Sequence, residues 1–281
     1  MLKKILVALD GSENAERAIP WVKQLAVRET AQVVLLRAVP RESVDRQSAP
    51  REIELAGEYL QRFERELNYA GIPTKTIVKK YSAVRAIVDT AVALGCDLIL
   101  MATRGGSKVE RWVIGGVTEQ VLRLSPIPVL PVQSQTQLPK QGHVRRVIVP
   151  MDGSKLAEVV VPWSAGLAKL LKAKLVFLHV YPTGPGGLRG RNQETYLALR
   201  KRMLRVCEDL KAKNVKASFQ LQRGDAADRI LQFADLNDLI VTTTHGRGGF
   251  KRWVFGSVAE KLIHQSGIPV LVYKTPAQVK G

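Results

Sequence analysis

Cysteine is nearly absent from this chain. Two residues, Cys96 and Cys207, in 281 exclude a disulfide framework and any zinc site built on a cysteine cluster. Such scarcity fits a reducing compartment. Long apolar runs are also missing: no stretch of about 20 uncharged apolar residues occurs, so no segment reads as a membrane span. The first apolar run, Ile5 to Leu9, ends in Asp10-Gly11 and reads as a buried strand rather than a signal peptide. There is no Gly-x4-Gly-Lys-Ser/Thr segment, which excludes a P-loop nucleotidase. The turn after the first strand lacks the Gly-x-Gly-x-x-Gly dinucleotide fingerprint. No Ser/His/Asp set assembles, so no catalytic residue is assigned and an enzyme is not expected. The metal-ligand set is left open. These absences predict a soluble, cytoplasmic protein with no membrane partner.

What is present is substantial apolar content, 46%, which excludes disorder of the chain as a whole. Lysine and arginine total 43 against 25 aspartate and glutamate, a net charge of +18. The excess is lopsided. Residues 1–139 hold 19 basic and 15 acidic side chains, whereas residues 140–281 hold 24 and 10. A basic half attracts polyanions, nucleic acid among them. Dispersal over several helices favours a plain solvated basic surface instead.

The chain repeats itself. From Lys4 to Pro40, 14 of 37 positions match residues 146–182 without a gap. Asp10-Gly11-Ser12 falls on Asp152-Gly153-Ser154, and Pro20-Trp21 on Pro162-Trp163. From Thr103 to Leu130, 13 of 28 positions match Thr244 to Leu271. A period this long is a whole-domain duplication rather than a solenoid unit. The predicted domains are 1–133 and 144–281. The polar stretch 134–143, with Pro139 and Gly142, reads as a linker.

Each half alternates apolar runs with helical patterns. The runs predict strands at Ile5–Leu9, Val33–Leu36, Thr76–Val78, Leu98–Met101 and Val129–Val132. The second half predicts Val147–Met151, Leu175–Val180, Ala217–Leu221, Leu239–Val241 and Val270–Tyr273. Continuous Val, Ile and Leu imply strands buried on both faces. Alternation with helices implies right-handed parallel crossovers. The fold class is therefore α/β: two tandem, doubly wound, Rossmann-like domains, each with a five-stranded, mostly parallel sheet.

Ligands of such folds sit beyond the carboxyl ends of the strands, where strand order reverses. Three segments of each half lie there: the turn after strand one, the exit of strand two and the glycine loop after strand four. In the second half that loop runs Thr243-Thr244-His245-Gly246-Arg247-Gly248-Gly249-Phe250 and reaches Gly256-Ser257. Glycines admit close approach of backbone amides, and a helix N-terminus supplies unpaired N–H groups and a positive dipole end. Together they suit a phosphate. The alternative is structural: Ser257-Val258-Ala259-Glu260 fits a capping box with Ser257 as N-cap, and a glycine-rich loop alone is a weak signal.

The pattern small-x-x-Gly-x9-Gly-Ser, with an aspartate ending strand one, resembles the universal stress protein family. The likeness rests on Val7-Ala8-Leu9-Asp10-Gly11-Ser12, Val149-Pro150-Met151-Asp152-Gly153-Ser154, Thr244-His245-Gly246-Arg247-Gly248-Gly249, Gly256-Ser257-Val258-Ala259-Glu260 and Ile268-Pro269-Val270-Leu271-Val272. It covers both halves, as in a tandem member. The resemblance implies ATP as ligand, with Mg2+ as an accompanying expectation. By position, Asp152 would bond the ribose or base region beside Pro150 and Met151, and the Val180 backbone would meet the adenine edge. Thr243 and Gly246 would line the phosphates; Gly256, Ser257 and Val258 would hold the terminal ones. Thr243 departs from the glycine or alanine usual there and brings a β-branched side chain close to the ligand.

The weaker second site is expected at Ala8, Leu9, Asp10, Ala38, Ala102, Gly105, Gly115 and Gly116. Here Gly116 replaces the motif serine. One hydrogen bond to a charged phosphate contributes about 1.5–3 kcal/mol, so the second half is the predicted main site. The resemblance also implies an internal pseudo-dimer of the two halves through their last strands, with a further homodimer and an unnamed protein partner as additional expectations. The leading function is an ATP-binding stress-response regulator. The alternatives are a slow ATPase and a non-nucleotide scaffold or polyanion-binding protein. His179 and His245 have structural readings as well, Ser12 and Ser154 read as N-caps, and both cysteines read as inert.

Overall fold

Continuous burial, not alternation, marks the inner strands. In β1 (Lys4–Ala8) the central Ile5, Leu6 and Val7 are fully buried, as covering of both faces of a parallel sheet requires. The computed structural model describes residues 2–26, 31–39, 49–103, 114–140, 142–154, 158–183, 191–243 and 256–274. Two compact units divide the chain, one running through Thr136 and the other beginning at Gln137.

The first unit continues with α1 (Glu13–Glu16), α2 (Ala18–Ala26), β2 (Gln32–Ala38) and α3 (Ala49–Tyr69). It closes with β3 (Thr74–Lys79), α4 (Ala83–Ala93), β4 (Leu98–Ala102), α5 (Gly116–Leu124) and β5 (Val129–Val132). All its strand pairs are parallel, in the order β3-β2-β1-β4-β5. Strand order reverses at β1, which pairs with β2 on one side and β4 on the other. The second unit repeats this with β6 (Arg146–Pro150), α6 (Val161–Leu171), β7 (Lys174–Tyr181), α7 (Arg191–Ala212) and β8 (Ala217–Arg223). Then come α8 (Ala226–Phe233), β9 (Asp238–Thr243), α9 (Ser257–Gln265) and β10 (Val270–Tyr273). Its order is β8-β7-β6-β9-β10, again parallel. The doubly wound α/β reading therefore holds in both halves. The strands extend one to three residues beyond most of the apolar runs, because ladder bonding continues into polar positions such as Lys79 and Arg223.

The shared Pro-Trp pair opens a helix in each unit. Pro20 lies in the first turn of α2 and Pro162 at the start of α6, where the missing N–H would have no intrahelical acceptor. Trp21 is buried, and Trp163 rests against Tyr273 with ring centroids 5.7 Å apart.

One difference between the units follows from a single residue. In the first, β1 pairs with β4 as far as Ala8↔Met101. In the second, the β6–β9 ladder stops at Ile148↔Ile240, while β6–β7 continues to Pro150↔Leu178. Met151 N–H donates to Leu178 O at 2.8 Å, so by alternation the donor missing at Pro150 is the one that would face β9. The proline thus releases β9 from β6 at the carboxyl edge, where strand order reverses.

Candidate functional site

The turn after β1 is built by an aspartate and a glycine. Gly11 holds φ +90°, a left-handed conformation that glycine adopts without strain. A Cβ there would stand 3.0 Å from the Arg37 guanidinium, which itself lies 5.0 Å above the Tyr59 ring. Asp10 Oδ1 accepts from Ser12 N at 2.9 Å and from Ser12 Oγ at 2.6 Å. Ser12 Oγ then accepts from Ala15 N at 3.2 Å, capping α1. Ser12 is therefore the N-cap expected. In the second unit, Gly153 has φ +83° and Asp152 Oδ1 accepts from Ser154 N at 2.9 Å. The residues after Ser154, 155–157, lie outside the described residues, and so does its expected cap.

Beyond the carboxyl ends of β1, β2 and β4, the first unit contains a cavity of about 300 Å³. Seven of the eight residues predicted for this half line it: Ala8, Leu9, Asp10, Ala38, Ala102, Gly115 and Gly116. Gly105 lies outside the described residues. The remaining wall was not legible in sequence. It includes Leu36, Met101, Thr103 and Thr118, with Ala83 and Ile87 from α4. The floor is apolar, and Asp10 stands at the edge as an exposed carboxylate. A cleft of this size with a few polar groups is of the kind that takes a small organic ligand.

The opposite wall is a helix N-terminus. Gly115 is the N-cap of α5 and no side chain caps it. Gly115 N donates to Thr103 O at 2.7 Å, and the first intrahelical bond runs from Glu119 N to Gly115 O at 3.0 Å. The amides of Gly116, Val117 and Thr118 therefore have no acceptor within the helix. Thr118 fixes this end against the sheet: its buried hydroxyl donates to Ala102 O at 2.9 Å and lies 3.2 Å from Thr103 O. The matching residue of the second unit is Ala259, which has no such bond to make. That mismatch between the repeats was the available signal for Thr118.

The second unit sets its predicted residues at equivalent places. Pro150, Met151 and Asp152 follow one another at the end of β6, Val180 lies near the end of β7 and Thr243 ends β9. Gly256, Ser257 and Val258 open α9. Gly246 and His245 lie outside the described residues. The capping-box expectation for Ser257 is corrected: Gly256 is the N-cap, no side chain caps the helix, and Ser257 occupies the first helical position with its side chain exposed. The reason is register. Glu260 N bonds to Gly256 O at 2.9 Å, so the helix begins one residue earlier than a Ser257 cap would need. His179 has the structural role: its Nδ1 donates to Met151 O at 2.6 Å and joins the ends of β6 and β7.

Burial pushes the Cys96 thiol up to about 11 and raises that of Cys207, in keeping with unreactive cysteines. Among the described residues, no group of three or more His, Cys, Asp or Glu is placed to hold a metal ion. None of their helices is long and apolar enough to cross a membrane.

Fold and sites define a tandem pair of doubly wound α/β domains, each with an aspartate after its first strand and a helix opening at a glycine after its fourth. A profile of the universal stress protein family matches residues 1–133 and 143–274, and the chain belongs to that family. A universal stress protein of Mycolicibacterium smegmatis is 24% identical over 291 residues, spanning 96% of this chain and 96% of its own length. A Staphylococcus haemolyticus relative is 29% identical over 141 residues, covering 47% of this chain and 86% of itself. Among solved structures, a universal stress protein from Archaeoglobus fulgidus superposes with TM-score 0.79 at 22% identity, covering 98% of this chain and 99% of the other. A Pseudomonas aeruginosa structure gives 0.73 at 18% identity over 99% and 95%. Both show the shared fold.

Proposed function

We propose that this stress-response protein binds ATP at the carboxyl edges of its sheets, chiefly in the second unit, and acts in the cytoplasm by presenting a nucleotide-dependent surface to a protein partner. One observation carries the reading: in the first unit an apolar cleft of about 300 Å³ lies between the Asp10 carboxylate and the amides that open α5. These groups fit the parts of a nucleotide. The apolar floor suits an adenine ring, the aspartate accepts hydrogen bonds from ribose hydroxyls, and the unpaired amides at the helix dipole's positive end favour phosphate. The second unit repeats the aspartate and the helix start and adds the exposed Ser257 hydroxyl at the first helical position. Mg2+ would arrive with the phosphates.

Titration calorimetry of ATP into the full chain, with and without Mg2+, tests this after extraction of any carried-over nucleotide. The expected result is binding near one equivalent, weakened by Ser257→Ala and by Asp152→Ala. Two equal sites would contradict the ranking of the units. Absence of binding would remove the nucleotide reading and point to the Thr243 side chain as an obstruction.

A further inference from the structure

The amino-terminal edge of the second sheet, opposite the proposed nucleotide site, carries an array of cations that the first sheet lacks. Arg145 precedes β6, Lys174 begins β7 and Lys216 precedes β8. Backbone bonds join them in a row: Lys174 N to Arg145 O at 2.8 Å, and Leu175 N to Lys216 O at 2.8 Å. Lys172, at the left-handed end of α6, and Lys213, just after α7, stand beside this row in sequence and in the caps that end their helices. All five side chains are exposed. Among the described residues none of the five forms an ion pair. With strands about 4.8 Å apart, the three strand starts span roughly 10 Å.

The first unit serves as an internal control. The same two backbone bonds there join Gln32 N to Lys3 O at 2.9 Å and Val33 N to Pro73 O at 2.8 Å. Where the second unit has Arg145, Lys174, Lys213 and Lys216, the first has Lys3, Gln32, Ala70 and Pro73. The nearby aspartates differ too. Half-buried Asp97 takes the backbone amides of Lys3 and Lys4. Its counterpart Asp238 is fully buried, and Arg146 covers its charge with Nε 2.8 Å from Oδ1. The second edge therefore carries more cations than the first, and the aspartate both share is covered there by Arg146.

We propose that this row, Arg145, Lys172, Lys174, Lys213 and Lys216, is a docking site for the phosphate backbone of double-stranded nucleic acid, read without regard to sequence. Four of the five are lysines, which meet phosphates as point charges and do not supply the fork that reads a guanine edge. Phe233, at the end of α8 near Asp235 and the β9 start, is covered by the Arg146 guanidinium at 4.9 Å and is not open to stack on single-stranded bases. A membrane surface fits less well. Among the described residues of this unit the exposed large apolar side chains are Leu138, Val159, Leu197 and Leu204; each lies seven or more residues in sequence from the cations of the row, so no contiguous apolar anchor accompanies the charge. Exposed Asp235 closes the row on the β9 side, which a narrow rod avoids and a plane does not. This site is independent of the nucleotide reading.

Fluorescence anisotropy of a labelled 20-base-pair duplex with the full chain, from 50 to 300 mM salt, is the test. Five phosphate contacts predict a slope of log K against log salt near −4.5, at about −0.9 per contact. Lys174→Gln/Lys213→Gln/Lys216→Gln is expected to make that slope shallower by about 2.7 and to weaken binding at least tenfold at 100 mM salt. The control Arg200→Gln/Lys201→Gln/Arg205→Gln removes equal charge from exposed positions of α7 and should leave the slope within about one unit of wild type. Matching thermal melts verify that all three proteins are folded. Equal losses in both variants would reduce the effect to net charge and overturn the site, as would a strip variant that binds like wild type. Binding to phosphatidylserine vesicles without duplex binding would assign the row to a lipid surface and overturn it likewise.

Discussion

Gly116→Ser is the most direct test of why the two proposed nucleotide sites should differ. The first unit has the cleft but lacks the hydroxyl that Ser257 presents at the opening of the second unit's last helix. A Cβ added at Gly116 meets no heavy atom within 4 Å, and the residue is not held at positive φ. The substitution therefore introduces no clash and no backbone strain. Replacing glycine in a helix is worth up to about 0.5–1 kcal/mol in stability, less at a terminal position. A hydroxyl bonding a charged phosphate contributes about 1.5–3 kcal/mol, or about 10- to 150-fold in affinity. The experiment is best done with Ser257→Ala in place, so that the second unit contributes little heat. In that background ATP titration should show Gly116→Ser strengthening the first-unit site by at least tenfold, and adding Asp10→Ala should remove the gain. If Gly116→Ser binds no better than Ser257→Ala alone, with an unchanged melt, the motif serine does not set the affinity and the ranking of the two units fails.

Three further outcomes follow from the packing. Arg146→Leu strands the fully buried Asp238 carboxylate, so urea unfolding should show a loss of about 3–5 kcal/mol, partly recovered by adding Asp238→Asn; a loss under 1 kcal/mol would mean the pair is not buried as described. Thr118→Val removes a hydroxyl bonded to the Ala102 carbonyl and should cost about 1–3 kcal/mol, read as a lower Tm of the first unit, whereas an unchanged Tm would deny the staple. Cys96 sits at about 11, above its ordinary value of 9.0, because burial disfavours the thiolate. The folded state thus holds its proton more tightly than the unfolded state. Its contribution to stability is full below pH 9.0 and is lost as pH rises toward about 11. Alkylation at pH 8 should be slow in the folded protein and fast in urea, and rapid labelling without denaturant would contradict the burial.

Much of the architecture was legible in the sequence because duplication and strand burial are local signals. Val129–Val132 and Val270–Tyr273 form strands with the bounds their apolar runs suggested. A strand covered on both faces is apolar at successive positions, which leaves little ambiguity. The Asp-Gly-Ser turn was equally readable, since positive φ calls for glycine and an aspartate two residues before an amide makes the turn bond. The structural alternative for Ser257, a helix cap, did not hold, because a one-residue shift in helix start is not encoded in the short motif itself; Gly256 and Ser257 both satisfy cap preferences.

The sequence by itself determined two α/β domains, an aspartate at each strand-order reversal and a glycine-rich entry to each last helix. Only the tertiary structure decided which residues meet. Ala83 and Ile87 join the cleft because α4 crosses over β1 and β2, and no local pattern marks them. Arg145, Lys174 and Lys216 form one row although up to 71 residues separate them, because parallel pairing brings strand starts together. Pro150 is visible in the sequence, but the ladder it ends toward β9 is not. That consequence depends on which neighbour the missing amide would have faced, and strand register alone fixes it.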